Sequence, residues 1–246
     1  MFAVGMLLGF VGAGGSGFIL AILTVGFHYP IHAAVGTALA AMAFTSLSGA
    51  IGQLRSKNTD VAGGLLVGLT GAAAAYLGSG LSIAISPGAM KWLTGGMLAL
   101  SSATLWLRLS FGKEGSAAFV SARGFRYYAM AVAVGLITGG LSGTFGIGST
   151  PFIQIGLMFL LGLPMRTAAG TSMLVILPIA AAGAVGYYRA GLLDVPLLLT
   201  VLCGTMTGSY IGAKFTKHAP AWLLKTGMIA TPVVAALILS FQSNSI

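Results

Sequence analysis

Residues 139–150 read Gly-Gly-Leu-Ser-Gly-Thr-Phe-Gly-Ile-Gly-Ser-Thr and interrupt an apolar run, 127–163, that holds no charged side chain. Four of these glycines, Gly139, Gly143, Gly146 and Gly148, have counterparts in Gly5, Gly9, Gly12 and Gly14, at one spacing (148 − 14 = 139 − 5 = 134). Glycine weakens a helix and lets a backbone come close to another group. Inside an apolar span it frees N–H and C=O groups that lipid cannot satisfy, so such backbone belongs inside protein or beside a wet cavity. The two breaks are therefore expected to form the working site, with the remaining helices holding them together.

Composition points to a membrane. Of the 246 residues 57% are hydrophobic and 6% charged, with mean hydropathy +0.99; a soluble domain carries about a quarter charged residues. Long apolar runs recur along the chain, as in a polytopic helical membrane protein, and the alternating strands of a β-barrel are absent. Twelve Lys and Arg face three acids, Asp60, Glu114 and Asp194, for a net charge of +9. The basic residues stand singly in short connectors, which suits lipid headgroups and membrane orientation and excludes a nucleic-acid footprint. A single cysteine, Cys203, leaves no intramolecular disulfide or cysteine-cluster metal site, and His28, His32 and His218 are too scattered for one. No basic n-region or cleavage site marks a signal peptide. The chain opens inside an apolar span, so an earlier start is expected.

Turn signals divide the chain into about eight transmembrane segments: 1–27, 30–53, 61–85, 90–109, 126–161, 164–188, 196–213 and 221–241. The first and fifth carry the glycine breaks. Matches at the same offset extend beyond the glycines. Pro30 pairs with Pro164, Ala34, Gly36 and Thr37 with Ala168, Gly170 and Thr171, Arg55 with Arg189, Asp60 with Asp194, and Tyr76 with Tyr210. The expected fold is all-α: two homologous four-segment repeats, 1–110 and 126–246, joined by a polar connector, 111–125. With eight crossings, the basic residues divide seven to five between the two sides, which favours a parallel repeat by a small margin. If each broken segment is a crossing plus a re-entrant half, the repeats become inverted.

Glycine-broken segments in matching positions of two halves point to a transporter binding site. Helix N-termini at the breaks offer N–H groups and a positive dipole end to an anion. Gly12, Gly14, Gly15 and Gly17 are expected to line one half of the cavity, and Gly146, Gly148, Ser149 and Thr150 the other. Gly36 and Thr37, with Gly170, Thr171 and Ser172, add small residues and hydroxyls near mid-membrane. The four-residue series Gly5/Gly9, Gly135/Gly139/Gly143 and Gly204/Gly208/Gly212 are expected to pack helices. Arg55 and Arg189, beside Gln53 and Tyr187, serve either as snorkelling anchors or as an electropositive mouth. Asp60 and Asp194 are placed to cap helices, with proton coupling as the alternative. No nucleophile–base pair, HExxH motif or intramembrane carboxylate supports an enzyme, and no cofactor is expected.

Two glycine-rich segments, each followed by a Pro-x-x-x-Ala-x-Gly-Thr helix and a basic turn leading to Asp-Val, resemble the sulfite exporter TauE/SafE family, also called 4-toluene sulfonate uptake permeases. The resemblance runs through 12–17 with 30–37, 146–150 with 164–172, and the turns 55–61 and 189–195. It implies a prokaryotic inner-membrane carrier for sulfur-containing anions such as sulfite, sulfoacetate or other organosulfonates. The expected function is secondary transport of such an oxyanion by alternating access, with the solute and membrane lipid as partners. A proton or another cation is a candidate coupling ion and a homodimer a candidate assembly, neither being written in the sequence. The alternatives are a passive anion channel of the same architecture and a non-transporting membrane scaffold.

Overall fold

A computed structural model describes residues 2–11, 16–57, 59–111, 124–146 and 150–216, with scattered helical positions between 222 and 237. Among these residues the protein is all helical. Helix α1 (Phe2–Val11) precedes α2 (Ser16–Ala21), which continues into a π-helical turn, Ile22–Gly26. Then come α3 (Ile31–Arg55), α4 (Val61–Ile83), α5 (Pro87–Phe111) and α6 (Phe125–Phe145). Helix α7 (Thr150–Ile155) also runs into a π-helical turn, Gly156–Leu160, before α8 (Met165–Arg189) and α9 (Val195–Thr216). Five of these, α3, α4, α6, α8 and α9, are long and apolar enough to cross a membrane.

Local chemistry sets the ends of these helices. Pro30 and Pro164 precede α3 and α8 with φ −54° and −58°, angles fixed by the ring and compatible with helix entry. Asp60 and Asp194 cap α4 and α9 by accepting backbone N–H bonds from Gly63 (3.4 Å) and Leu197 (2.9 Å). Helix α6 stops at Gly146, whose φ of +65° is left-handed and whose N–H returns to the Ser142 carbonyl at 2.9 Å. This is a common glycine ending of a helix.

The stretch expected as one broken segment, 126–161, thus folds as two helices. The chain turns back after Gly146, because Gly156, beyond α7, lies against Val134 in the middle of α6. Hydropathy is continuous through this turn, and its mark in the sequence is the glycine cluster, which leaves a re-entrant half open as the alternative to a single crossing.

Helices associate here through small residues. Lipid tails are as apolar as leucine, so close packing rather than exclusion of water drives contact between helices. A methyl group added at Gly139 or Gly143 would fall on the backbone of Gly71 or Ala75 in α4. Added at Gly5 or Gly9, it would fall on Thr205 or Ser209 in α9, and at Gly212 on Met6 in α1. These glycines pack helices, as their spacing predicted. Large side chains such as Leu69, Leu77, Ile137 and Leu199 are exposed on the outside of the bundle, the surface an apolar lipid phase would cover.

The same contacts give helix directions. Gly36 meets Tyr187, Gly183 meets Leu39, and Gly49 meets Met173, so α3 and α8 cross the interior antiparallel. Helix α4 runs parallel to α8, with Gly64 on Thr171 and Gly186 on Ser79, and parallel to α6, with Gly135 on Val67 and Gly143 on Ala75. Helix α9 runs with α3, since Thr37 meets Asp194 and Arg55 meets Tyr210. The parallel relation favoured by the charge tally is not found for α3 and α8, which run antiparallel.

Candidate functional site

Cross-helix bonds that recur at the offset between the two halves lie at two ends of the α3/α8 pair, while Ser209 Oγ to the Thr45 carbonyl (3.0 Å) and Ser48 Oγ to the Met206 carbonyl (2.8 Å) join α3 to α9 between them. At the first end, Thr37 Oγ1 accepts the backbone N–H of Asp194 at 3.3 Å. The Asp194 carboxylate accepts the Tyr29 hydroxyl at 2.8 Å. The Tyr187 hydroxyl donates to Ser82 Oγ at 2.6 Å and lies 3.2 Å from the Gly143 carbonyl, on the last turn before the α6 break. Arg189 Nη1 donates to the Tyr76 hydroxyl at 2.7 Å. Tyr29 stands in the connector before α3, and the hydrogen bond to Asp194 raises its pKa above the ordinary tyrosine value, since ionisation would set two anions face to face.

The second end repeats the pattern with the partners exchanged. Thr171 Oγ1 accepts the N–H of Asp60 at 2.9 Å, and the Asp60 carboxylate accepts the Tyr127 hydroxyl at 2.9 Å. Gln53 Nε2 donates to Thr216 Oγ1 at 3.0 Å, and that hydroxyl donates to the Phe10 carbonyl at 2.7 Å. Arg55 Nη1 donates to the Tyr210 hydroxyl at 2.8 Å. Three bonds of one end map onto three of the other by the same shift: 171 − 37 = 194 − 60 = 134, 187 − 53 = 216 − 82 = 134, and 189 − 55 = 210 − 76 = 134.

The expected site residues fall into three groups. Gly12, Gly14, Gly15, Gly148 and Ser149 lie outside the described residues. Gly17, Gly146, Thr150, Gly170 and Ser172 are buried; Gly146 packs on Val35, and Ser172 Oγ bonds the Ala169 carbonyl of its own helix at 2.8 Å. Thr37 and Thr171, expected as oxyanion donors near mid-membrane, instead hold the starts of α9 and α4. Gly36 lets α3 close onto α8, where a methyl group would meet the Leu192 carbonyl and Tyr187 Cβ. Gly146, Gly36 and Thr37 share one end, while Thr171 belongs to the other. Thr37 and Gln53 stand 53 − 37 = 16 residues apart on α3, roughly 24 Å at helical rise. The polar groups are therefore spread over both ends of the bundle.

Several participants escaped sequence reasoning. Ser82 and Thr216 are a matched hydroxyl pair at the repeat offset, and pairing them would have flagged both. Tyr29 and Tyr127 do not match at that offset, so no such signal marks them. Gln154 is buried in α7 at 1% exposure, and Ser142 Oγ is fully buried with no hydrogen-bond partner among the described residues. A lone polar side chain in an apolar run was the available signal for Gln154.

Long lipid-facing helices around a buried set of hydroxyls, amides and glycine breaks are the make-up of a polytopic membrane protein. Comparison with known proteins makes this one a transporter. Residues 1–239 match the family model Sulfite exporter TauE/SafE, and the chain belongs to that family. It is 49% identical over 241 residues to "Probable membrane transporter protein YdhB" of Bacillus subtilis (strain 168), covering 98% of each chain. A "Probable membrane transporter protein" of Xylella fastidiosa (strain 9a5c) is 30% identical over 217 residues, covering 85% of this chain and 79% of that one. No solved structure matches. The family and these relatives are membrane transporters and not enzymes.

Proposed function

We propose that the protein is a secondary carrier of a small sulfur oxyanion, sulfite or an organosulfonate, working by alternating access between two inverted copies of one unit, 1–110 and 126–246. The observation that carries the reading is the set of three cross-helix bonds at each end, related by one sequence shift. An inverted pair of halves gives two nearly equal closures on opposite sides of the membrane, and a carrier needs to release one while the other holds. Tyr187–Ser82 and Thr37–Asp194 form one closure, Gln53–Thr216 and Thr171–Asp60 the other. The solute path follows the α3/α8 crossing between them. The oxyanion class rests on the family's name and on the glycine breaks, whose backbone N–H groups suit an anion.

Orientation follows from the helix directions. The end with Thr171 carries Arg55, Lys57, Arg126, Arg166 and Lys214, while the end with Thr37 carries Lys91 and Arg189. An excess of Lys and Arg marks the cytoplasmic side. In our reading the Thr171 end faces the cytoplasm of a prokaryotic cell and the Thr37 end faces outward across its inner membrane. The test is uptake of labelled sulfite and sulfoacetate into liposomes containing the purified protein. Saturable flux that depends on the protein supports the reading, and flux equal to that of protein-free liposomes overturns it.

A further inference from the structure

A cavity of about 320 Å³ opens at the Thr37 end, outside the closures described above. Its polar lining is Thr24, His28, Tyr29, His32 and Lys91. Among the described residues no carboxylate lines it; Asp194 stands one hydrogen bond behind, on the Tyr29 hydroxyl. Two long helices, α3 and α5, begin at this cavity with Ile31 and Pro87, so their positive dipole ends face the same space as the basic side chains.

Two details tie the cavity to the transport path. His32 Nε2 lies 3.1 Å from the Ser82 carbonyl, and Ser82 Oγ accepts the Tyr187 hydroxyl of the closure. His32 therefore touches the residue that closes this end. His28 has a φ of +53°, in the left-handed region where a β-carbon is disfavoured, and its counterpart is Gly162 at +71° (162 − 28 = 134). A histidine stands where backbone geometry favours glycine, which fits a side chain kept for its chemistry.

We propose that this cavity is an antechamber that binds the oxyanion before the closure opens, with Lys91 and His28 as its donors and His32, whose Nε2–H is given to the Ser82 carbonyl, as the link to the closure. Ammonium and imidazole N–H groups supply charge-assisted hydrogen bonds to sulfite or sulfonate oxygens. A focused positive potential at the mouth raises the local anion concentration. Lys91 is half-buried, so its charge is less screened than that of a loop lysine. The inference rests on the oxyanion-carrier reading for its ligand class, and its test has a readout independent of transport.

The experiment is footprinting of the full-length protein in nanodiscs by mass spectrometry. Acylation of Lys91 and carbethoxylation of His28 and His32 are followed against sodium sulfite at constant ionic strength, with exposed Lys57 as reference. Saturable protection of Lys91 and the two histidines, at least three-fold and absent with chloride, is expected. In His28→Gly, a change the backbone accommodates, protection of Lys91 should need several-fold more sulfite. Lys91→Gln should abolish protection of the histidines, and Lys91→Arg should keep it. Equal protection by chloride, no protection, or protection indifferent to Lys91→Gln would overturn the antechamber. Protection without sulfite flux into liposomes would sustain the binding site and remove the carrier reading; flux without protection would do the reverse.

Discussion

Thr171 Oγ1, on the first turns of α8, accepts the backbone N–H of Asp60, 111 residues earlier in the chain, at 2.9 Å. The bond joins the start of α4 to the start of α8, and its counterpart joins Asp194 to Thr37. Each aspartate also caps its own helix through a carboxylate oxygen. Each carboxylate thus holds both a helix start and a tyrosine hydroxyl.

Asp60→Asn and Asp194→Asn should leave thermal stability nearly unchanged, because asparagine caps helices as well as aspartate does. Asp60→Ala should cost about 0.5–2 kcal/mol by loss of the cap. The pH profile of sulfite flux should be the same in the Asn variants and the parent. A flattened profile in either Asn variant would give that carboxylate the proton-coupling role instead.

Tyr187→Phe removes the hydroxyl that reaches Ser82 and the end of α6, weakening one closure by about 1 kcal/mol. Gln53→Leu removes the matching bond to Thr216 at the other end. The two variants should shift the ratio of sulfite KM values measured from the two faces in opposite directions, by roughly five-fold, since 1 kcal/mol of closure shifts the population of each open state by about that factor. Shifts in the same direction would remove the two-closure account.

Gly139→Val drives a side chain into the backbone of Gly71, and overpacking of this kind costs about 1–3 kcal/mol. Gly140→Ala, on the neighbouring face, meets nothing within 4 Å among the described residues and should melt no lower than the parent. Detergent melting curves of the two variants separate helix packing from general intolerance of side chains in α6.

The raised pKa of Tyr29 gives a pH prediction with a definite sign. Its neutral form is the one held by Asp194. The stabilisation is therefore complete below the unfolded tyrosine pKa and is lost as pH rises through the higher folded value. In Asp194→Asn the Tyr29 hydroxyl should ionise at lower pH than in the parent, read by ultraviolet difference titration against Tyr29→Phe.

Much of this arrangement is legible in the amino acids. Hydropathy marks the long helices, Pro30 and Pro164 mark two of their starts, and the glycine series mark the α6/α4 and α1/α9 contacts. The matched residues Gln53, Arg55 and Asp60, with Tyr187, Arg189 and Asp194, all take part in the two ends. The glycines at 139–148 mark the break and allow a re-entrant half, but they do not decide for it, because an apolar segment reads the same whether it crosses once or folds back. The work of Thr37 and Thr171 is hidden for a related reason: their partners are backbone N–H groups of distant helices, which carry no letter of their own. Tyr29 and Tyr127 bond to aspartates 165 and 67 residues away, separations no local pattern announces.

The central claim, a carrier that exposes one oxyanion site to each side in turn, is tested most directly by counterflow. Liposomes containing the protein are loaded with an excess of unlabelled sulfite, and entry of labelled sulfite from a much lower external concentration is followed with and without the internal load. The account predicts that internal sulfite accelerates entry, that the acceleration saturates, and that labelled solute transiently accumulates above its external level. Entry that is indifferent to internal sulfite and linear in concentration would contradict it and leave a passive pore.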